Sequence, residues 1–252
     1  MVYRLTNLYR YPVKGLSPEP LDQVDLLPGQ TLPGDRAYAI ENGGGRFDES
    51  APRFLPKTAY FMLARHEQLA RLRTHFDVPA HRLDIVSSDG SCTSFDLGRA
   101  DGRTELSEFI ANYLGPAVKG PVRVVHAPGF AFTDEAVKCL SLINLASVRA
   151  LEARIGKPID PLRFRGNLYV EGLEPWQDHG WCDRSLRIGS AVCRGYKPIV
   201  RCPATNVDPA SGTRDLTIPE DLERYFGHRD LGLYLTVEQP GTLRPGDTIE
   251  LL

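Results

Sequence analysis

The stretch Ser185–Cys202, SLRIGSAVCRGYKPIVRC, shows the pattern that decides the fold class. Two short runs, Ser185–Ile188 and Ala191–Tyr196, end at a glycine or at a Lys-Pro pair, which is typical of strands. The same pattern recurs along the chain, because 23 glycines and 20 prolines are spread over its 252 residues. Most apolar runs are therefore short, which predicts many strands.

The predicted strands outnumber the predicted helices, and the strand–helix alternation of a parallel sheet is missing. We therefore predict a mainly β fold of the α+β class, a barrel covered by a few helices. A Gly- and Pro-rich run, Leu114–Pro121, predicts two domains, residues 1–117 and 118–252. The other predicted strands are Val2–Tyr11, Leu21–Leu27, Asp35–Glu41, Arg82–Ser87, Cys92–Leu97, Val122–His126, Leu168–Val170, Leu233–Val237 and one within Gly241–Leu252. The predicted helices are Met62–Phe76, Thr104–Leu114, Ser147–Ile155 with Ser147 as N-cap, and Pro219–Tyr225.

Composition excludes several classes of protein. A net charge of −2 gives no overall field that would attract nucleic acid or a membrane surface, so an anionic ligand must be met by local Arg and Lys groups. The first residues lack the apolar core of a signal peptide, and no run approaches the roughly 20 apolar residues of a membrane span. We therefore expect a cytoplasmic protein with no nucleic-acid or membrane partner.

The five cysteines fit neither a disulfide framework nor a structural zinc site, because their number is odd and no Cys-x-x-Cys pair occurs. Most are expected to be free thiols, with Cys92, Cys139 and Cys193 as small buried residues. The sequence also lacks glycine-rich nucleotide loops and a Gly-x-Ser-x-Gly elbow, so those chemistries are not predicted.

Three short clusters could bind an anion, although each also has a structural explanation. Tyr11–Gly15 presents Lys14 at a strand end, and Gly34–Arg36 is a turn that leads into a strand. A solvated lysine and a surface salt bridge are the structural alternatives. In Arg163–Asn167, two arginines two residues apart would point to the same side of an extended chain and clamp an anion, or form a basic strand edge.

A fourth cluster, Lys197–Thr205, contains Cys202 directly after Arg201 at a predicted strand end. That position favours partial exposure and the thiolate form. Thiolates are ligands for metals that accept sulfur, so Cys202 is a candidate metal ligand. A small buried residue is the structural alternative.

In this order the clusters resemble the MOSC superfamily, in particular the branch of the mitochondrial amidoxime reducing component and the bacterial 6-hydroxylaminopurine-resistance proteins. The first two clusters look like the N-terminal β-barrel segment of that branch. The likeness covers nearly the whole chain. The segments that look like the MOSC domain proper are Arg163–Asn167, Asp178–Trp181, Ile188-Gly189, Arg201–Gly212 and Gly241–Asp247.

The resemblance implies a MOSC β-barrel with a mononuclear molybdenum cofactor, whose metal is held by the pterin dithiolene, oxo groups and one protein cysteine. Cys202 matches that cysteine. The residues that match contacts to the pterin and its phosphate are Lys14, Arg36, Arg165 and Asn167. To the same cofactor site we assign Ser147, where the family often has a hydroxyl, and Arg201 and Thr205, which flank Cys202. Three positions depart from the branch: Gly15 replaces a common Ser, Gly166 a usual Pro, and Val200 a frequent Ser or Thr.

The leading hypothesis is a molybdenum-dependent oxidoreductase that reduces N-hydroxylated compounds such as amidoximes, hydroxylamines or hydroxylaminopurines. Because no plant-type iron–sulfur spacing occurs, electrons are expected from a separate protein of the ferredoxin, flavodoxin or cytochrome b5 type. Asp208 is a candidate catalytic residue for proton delivery, or else caps a turn. Two alternatives stay open: a cofactor-binding or sulfur-carrier module with a Cys202 persulfide, and a β-barrel interaction protein without the cofactor.

Overall fold

The structure is a computed structural model that describes residues 2–87 and 89–252. Strands dominate it, as predicted. The strands are β1 Tyr3–Arg10, β2 Glu19–Pro20, β3 Val24–Leu26, β4 Tyr38–Asn42, β5 Arg73–Asp77, β6 Arg82–Val86, β7 Cys92–Asp96, β8 Val122–His126, β9 Leu140–Asn144, β10 Leu168–Glu171, β11 Ser185–Ile188, β12 Ala191–Val200, β13 Asp230–Gln239, β14 Gly241–Leu243 and β15 Thr248–Leu251. The α-helices are α1 Ala100–Leu114, α2 Leu145–Ile155 and α3 Ile218–Phe226. Short 3-10 helices cover Lys57–Ala59, Glu67–Arg71, Gly115–Ala117, Pro161–Phe164, Gln177–Trp181 and Pro203–Asn206.

Seven strands close into a barrel, in the order β1, β10, β9, β13, β12, β11, β15 and back to β1. The pair β9–β10 is parallel, and the other neighbours are antiparallel. Side chains such as Leu5, Leu142, Leu186 and Leu233 are fully buried in its core. Closure leaves no open edge in the ring, which stabilises a sheet made of short strands. The predicted β-barrel of a mainly β, α+β fold is confirmed.

A second core lies outside the barrel. The antiparallel pair β4–β8, the sheet β5–β6–β7 and α1 share a cluster of buried residues. In α1, Leu106, Ile110 and Leu114 repeat every four residues, so one face of the helix packs into this cluster. No helix of the described segments is both long and apolar enough to cross a bilayer.

Two strands connect the two predicted domains. β1 belongs to the barrel through its pairing with β10 and β15, although it comes first in the chain. Conversely, β8 follows the predicted boundary at Leu114–Pro121 but pairs with β4 in the first half. The division into residues 1–117 and 118–252 stays a prediction about independent units.

Several local predictions were wrong, among them the following three. Met62–Phe76 is not a helix: its second half is the 3-10 helix Glu67–Arg71 and β5, whose backbone pairs with β6 instead of continuing a helical ladder. α2 begins earlier than predicted, because the Asn144 side chain accepts a 3.0 Å hydrogen bond from the Ala146 amide and caps the helix. Cys92 is exposed on β7, whereas Cys139 and Cys193 are buried as predicted. The β6–β7 hairpin is confirmed, although Ser88 of its predicted turn lies outside the described residues.

Candidate functional site

An open cavity of about 990 Å³, mouth included, lies where loops of the two halves of the chain meet. It is built by the loops that leave β1 and β12 and by the turns that precede β4 and β10. These loops bring together most of the predicted site residues, which are up to 191 positions apart in the sequence between Lys14 and Thr205. The predicted residues that line the cavity are Lys14, Arg36, Arg165, Asn167, Arg201, Cys202 and Thr205.

The lining carries a surplus of positive charge. Among the described residues, six cationic side chains face three carboxylates there. Since the whole chain has a net charge of −2, this concentration is local and favours an anionic ligand. The cations are Lys14, Arg36, Lys57, Arg163, Arg165 and Arg201, and the carboxylates are Asp35, Asp134 and Glu135.

Arg36 is fixed by its neighbours in an unusual backbone conformation. Its φ of 49° is left-handed, which is uncommon for a residue other than glycine. The guanidinium donates from Nη1 to Asp35 and, over 3.0 Å, from Nη2 to the carbonyl of Arg165. Burial opposes ionisation, but the Asp35 carboxylate outweighs it and raises the pKa of Arg36. Arg36 therefore stays a fixed cation in the cavity wall.

Arg165 differs from the other cavity cations because its guanidinium has no hydrogen-bond acceptor or carboxylate partner within the described residues. It follows the 3-10 helix Pro161–Phe164 and has a φ of 51°. Burial, together with the nearby charge of Arg36, lowers its pKa. A partly buried cation without an internal counter-ion is unfavourable unless a ligand supplies the negative charge. Arg165 is thus a candidate anion-binding group.

Arg163 does not form the predicted clamp with Arg165. The segment is a 3-10 turn and not an extended strand, so the two side chains do not follow the alternation of a strand. The Arg163 guanidinium instead pairs with Asp208 at 3.1 Å and Asp215 at 2.8 Å. Its charge is already matched inside the protein.

Lys14 is buried and is held by a neighbouring carboxylate. Its ammonium donates to the carbonyl of Phe132 over 2.9 Å and to Asp134. Burial lowers the pKa of Lys14. Burial alone would raise the pKa of Asp134, but the charge of Lys14 lowers it to about 2. Asp134 is therefore an internal counter-ion of Lys14, although the Asp134 side chain is 45% exposed.

Cys202 lies two residues after the end of β12 and directly precedes the 3-10 helix Pro203–Asn206. Its thiol is partly exposed in the cavity. The carbonyl of Cys202 accepts hydrogen bonds of 3.0 Å from both the amide and the hydroxyl of Thr205, which fix the loop. The sulfur is therefore held at a defined place with one side open to a ligand.

Arg201 supports this loop from behind. Its guanidinium is buried and donates to the carbonyl of Phe164 over 2.9 Å and to the carbonyl of Leu231 over 2.7 Å from Nε. Burial lowers its pKa. Asn167 is similarly engaged, because its side chain bonds to Ser141 and to the carbonyl of Tyr9. Both residues line the cavity while their polar groups hold the backbone.

Ser147 and Asp208 are not among the residues that line the cavity. The buried hydroxyl of Ser147 accepts a 2.8 Å hydrogen bond from the amide of Trp176. Asp208 accepts from the amides of Ala210 and Ser211, at 3.0 and 2.7 Å, and so caps a turn. Their predicted roles at the cofactor have no support from these contacts.

Sequence reasoning missed many residues of the lining, among them Lys57, Asp134, Cys139 and Tyr234. Lys57 comes from the long loop before residue 60 and lies 3.8 Å from Asp134. Burial would lower its pKa, but Asp134 and the nearby Cys202 sulfur raise it. No local pattern marks a lysine in a loop as a neighbour of a cysteine 145 positions away.

The donor set of the cavity fits a ligand that brings its own metal coordination. The described residues contain no group of three or more His, Cys, Asp or Glu side chains that could hold a bare metal ion. A metal at Cys202 would therefore need further ligands from outside the chain. An anionic organic cofactor that binds a metal through sulfur would supply both these ligands and the negative charge that balances the cations.

Residues 130–250 match the family model described as the MOSC domain. Residues 130–250 are therefore a MOSC domain. The matched region contains β9 to β15 and the Cys202 loop, and β1 completes the barrel from outside it. The cavity therefore lies between the MOSC domain and residues that precede it.

The chain is also similar to several proteins that have names. It is 26% identical over 184 residues to mitochondrial amidoxime-reducing component 1 of Xenopus laevis, covering 61% of this chain and 52% of that protein. It is 31% identical over 122 residues to mitochondrial amidoxime reducing component 2 of Macaca fascicularis, covering 44% and 36%. A molybdenum cofactor sulfurase of Anopheles gambiae is 34% identical over 110 residues, covering 39% and 14%. The chain spans about half or less of the length of these relatives.

Solved structures were also compared with the chain. The YUAD protein from Bacillus subtilis aligns over 100% of this chain and 96% of its own, at 13% identity and a TM-score of 0.45. YiiM from Geobacillus stearothermophilus aligns over 45% of this chain and 53% of its own, at 21% identity and a TM-score of 0.37.

Proposed function

We propose that this MOSC protein binds the molybdenum cofactor in the cavity and reduces N-hydroxylated compounds with electrons from a separate protein. One observation carries the proposal: a partly exposed, fixed cysteine shares a cavity with a cation, Arg165, that has no counter-ion among the described residues. A soft metal ligand beside an unmatched positive charge suits an anionic metal cofactor. The names of the amidoxime-reducing relatives support the substrate class.

In this proposal Cys202 is the ligand of molybdenum and Arg165 is the main contact of the pterin phosphate. Arg36 adds a second fixed charge, and Lys14 becomes available when its bond to Asp134 is exchanged for the ligand. Arg201, Asn167 and Thr205 hold the loops that present these groups. When bound, the cofactor supplies the two-electron chemistry by which an N–O bond is reduced to an amine and water.

Lys57 lies closest to this chemistry among the residues not predicted from sequence. Lys57 and Cys202 line the same cavity, and the nearby Asp134 and Cys202 raise the pKa of the Lys57 ammonium. A cation beside the sulfur stabilises the thiolate that the metal needs. Electron donors of the ferredoxin, flavodoxin or cytochrome b5 type, and a cytoplasmic location, are parts of the same proposal.

A second candidate function is the transfer of sulfur or of the cofactor, with a persulfide on Cys202. The similarity to the molybdenum cofactor sulfurase favours it, and the partial exposure of the thiol is compatible with it. The two functions differ in what the purified protein does with a reductant.

The test is the reduction of benzamidoxime to benzamidine by protein purified from a host that makes the cofactor, with a chemical electron donor. Turnover is expected for the wild type and absent for Cys202→Ser. Cys92→Ser, on an exposed strand, is the matched control and should keep full activity. A wild type that contains the cofactor but never turns over would contradict the reductase and favour the transfer function.

A further inference from the structure

Tyr11 is fully buried, yet its ring contacts two cations of the cavity wall. The guanidinium carbon of Arg36 lies 4.4 Å from the ring centroid, and that of Arg165 lies 4.3 Å from it. Tyr11 itself is 0% exposed and is not part of the cavity lining. It therefore cannot touch a ligand in the cavity, but it touches two of the groups that would.

The backbone around Tyr11 is tied to the same two arginines. Its amide donates over 2.8 Å to Asp35, whose carboxylate also binds Arg36. Its carbonyl accepts a 2.7 Å hydrogen bond from the amide of Arg36. Arg36 in turn bonds to the carbonyl of Arg165. One tyrosine thus lies at the centre of a closed set of contacts that joins both arginines.

Both arginines are in conformations that need such support. Their φ angles of 49° and 51° belong to the left-handed region, which persists in ordinary residues only where the surroundings hold it. Their like charges repel, and only Arg36 has a carboxylate to offset its charge. The face of an aromatic ring attracts a guanidinium, most strongly away from water. For Arg165 the ring is therefore a substitute for the missing counter-ion.

We propose that Tyr11 is a positioning residue whose ring holds the Arg36 and Arg165 guanidinium groups together as one anion clamp. This proposal rests on the proposed function only for the identity of the natural ligand. Inorganic phosphate can probe the clamp whatever that ligand is. The hydroxyl of Tyr11 is buried without a hydrogen-bond partner in the described part of the chain, so the ring and not the hydroxyl has the role.

The experiment measures the dissociation constant of inorganic phosphate by calorimetry, on full-length protein made in a host without the pterin. Tyr11→Leu and the better-filling Tyr11→Met should each weaken binding about tenfold, because each loses two cation–π contacts. Tyr11→Phe should stay within about twofold of the wild type. In an Arg165→Gln background, Tyr11→Leu should cause much less further loss, because the ring acts through the arginine.

Tyr38→Leu is the matched control. Tyr38 is equally buried, at 1% exposure, but packs on Phe76 and His126 and not on the clamp. It should lower the melting temperature without changing phosphate affinity. Unchanged affinity in the Tyr11→Leu and Tyr11→Met proteins, an equal loss in Tyr11→Phe, or a wild type that binds no phosphate would overturn the proposal. The proposed function is tested separately, by measuring the pterin content of protein made in a host that synthesises the cofactor.

Discussion

The Nη2 atom of Arg36 donates a 3.0 Å hydrogen bond to the carbonyl oxygen of Arg165, across 129 positions of the sequence. This bond joins a turn before β4 to the turn before β10. Since β4 lies outside the barrel and β10 within it, the cavity depends on both cores of the molecule. Changes at the bond should therefore affect ligand binding more than the stability of either core.

Replacing Arg165 should separate binding from stability. Arg165→Gln removes a partly buried, unmatched charge, so the free energy of unfolding of ligand-free protein should stay within about 1 kcal/mol of the wild type or rise. Cofactor retention should fall about tenfold or more, because a charge-assisted contact is lost. Denaturant unfolding and pterin content measure the two effects. Arg187→Gln, on an exposed position of β11, should change neither, and a large loss of stability in Arg165→Gln would show that the charge is structural.

Asp134 should compete with an incoming anion for Lys14. Asp134→Asn removes the carboxylate that binds the Lys14 ammonium, so phosphate should bind several-fold more tightly than to the wild type. Glu171→Gln is the control, because Glu171 pairs with Arg149 at 2.6 Å and is not part of the cavity lining. Weaker phosphate binding in Asp134→Asn than in Glu171→Gln would mean that Asp134 orients Lys14 for the ligand.

The same carboxylate gives a pH dependence with a definite sign. The pKa of Asp134 is lowered from 3.8 to about 2 in the folded protein. Its ion pair therefore contributes stability fully above about pH 4, and this contribution is lost as the pH falls toward 2. Acid titration of unfolding should show a smaller loss in this window for Asp134→Asn than for the wild type. Identical acid profiles would contradict a depressed pKa at Asp134.

Arg201 should be mainly a stability residue. Its bonds to the carbonyls of Leu231 and Phe164 are buried, so Arg201→Gln leaves two acceptors poorly satisfied and should destabilise the protein by about 2–4 kcal/mol. Arg194→Gln removes only exposed ion pairs at 3.7 and 3.8 Å and should change stability by less than about 1 kcal/mol. Thermal unfolding of both variants measures these effects. Equally small losses of stability in both would mean that Arg201 contributes to ligand binding and not to stability.

Gly166 lies where the packing leaves no room for a side chain. A Cβ at this position would lie 2.3 Å from Cγ1 of Ile143, on β9. Gly166→Ala should therefore cost about 1–3 kcal/mol through overpacking. Adding Ile143→Ala should recover part of that cost, so the two changes should be less than additive in urea unfolding. Additive effects would show that the contact relaxes elsewhere.

The sequence predicted the parts of this protein that depend on local pattern. The strands Ser185–Ile188 and Val122–His126 have the predicted bounds, since turn residues delimit them. β9, Leu140–Asn144, was not predicted, because all five residues are buried and no alternation marks a half-exposed strand. The helix at Met62–Phe76 was wrong because pairing with β6 outweighed the helical spacing.

The site was predictable in its residues but not in their partners. Lys14, Arg36 and Cys202 were selected by resemblance and do line one cavity. The ion pairs of Lys14 and Lys57 with Asp134 join loops that are distant in sequence. Such contacts depend on how distant loops pack against each other, and the spacing of residues in the sequence does not indicate this.

Molybdenum binding by Cys202 is tested most directly by metal analysis of the wild type and of Cys202→Ser, together with the absorbance of the released pterin. Protein from a cofactor-competent host should contain molybdenum and pterin in near-equal amounts for the wild type. The variant should fold normally and lose most of its molybdenum. Full molybdenum in folded Cys202→Ser, or a wild type with neither metal nor pterin, would contradict the assignment of Cys202 and of the cavity.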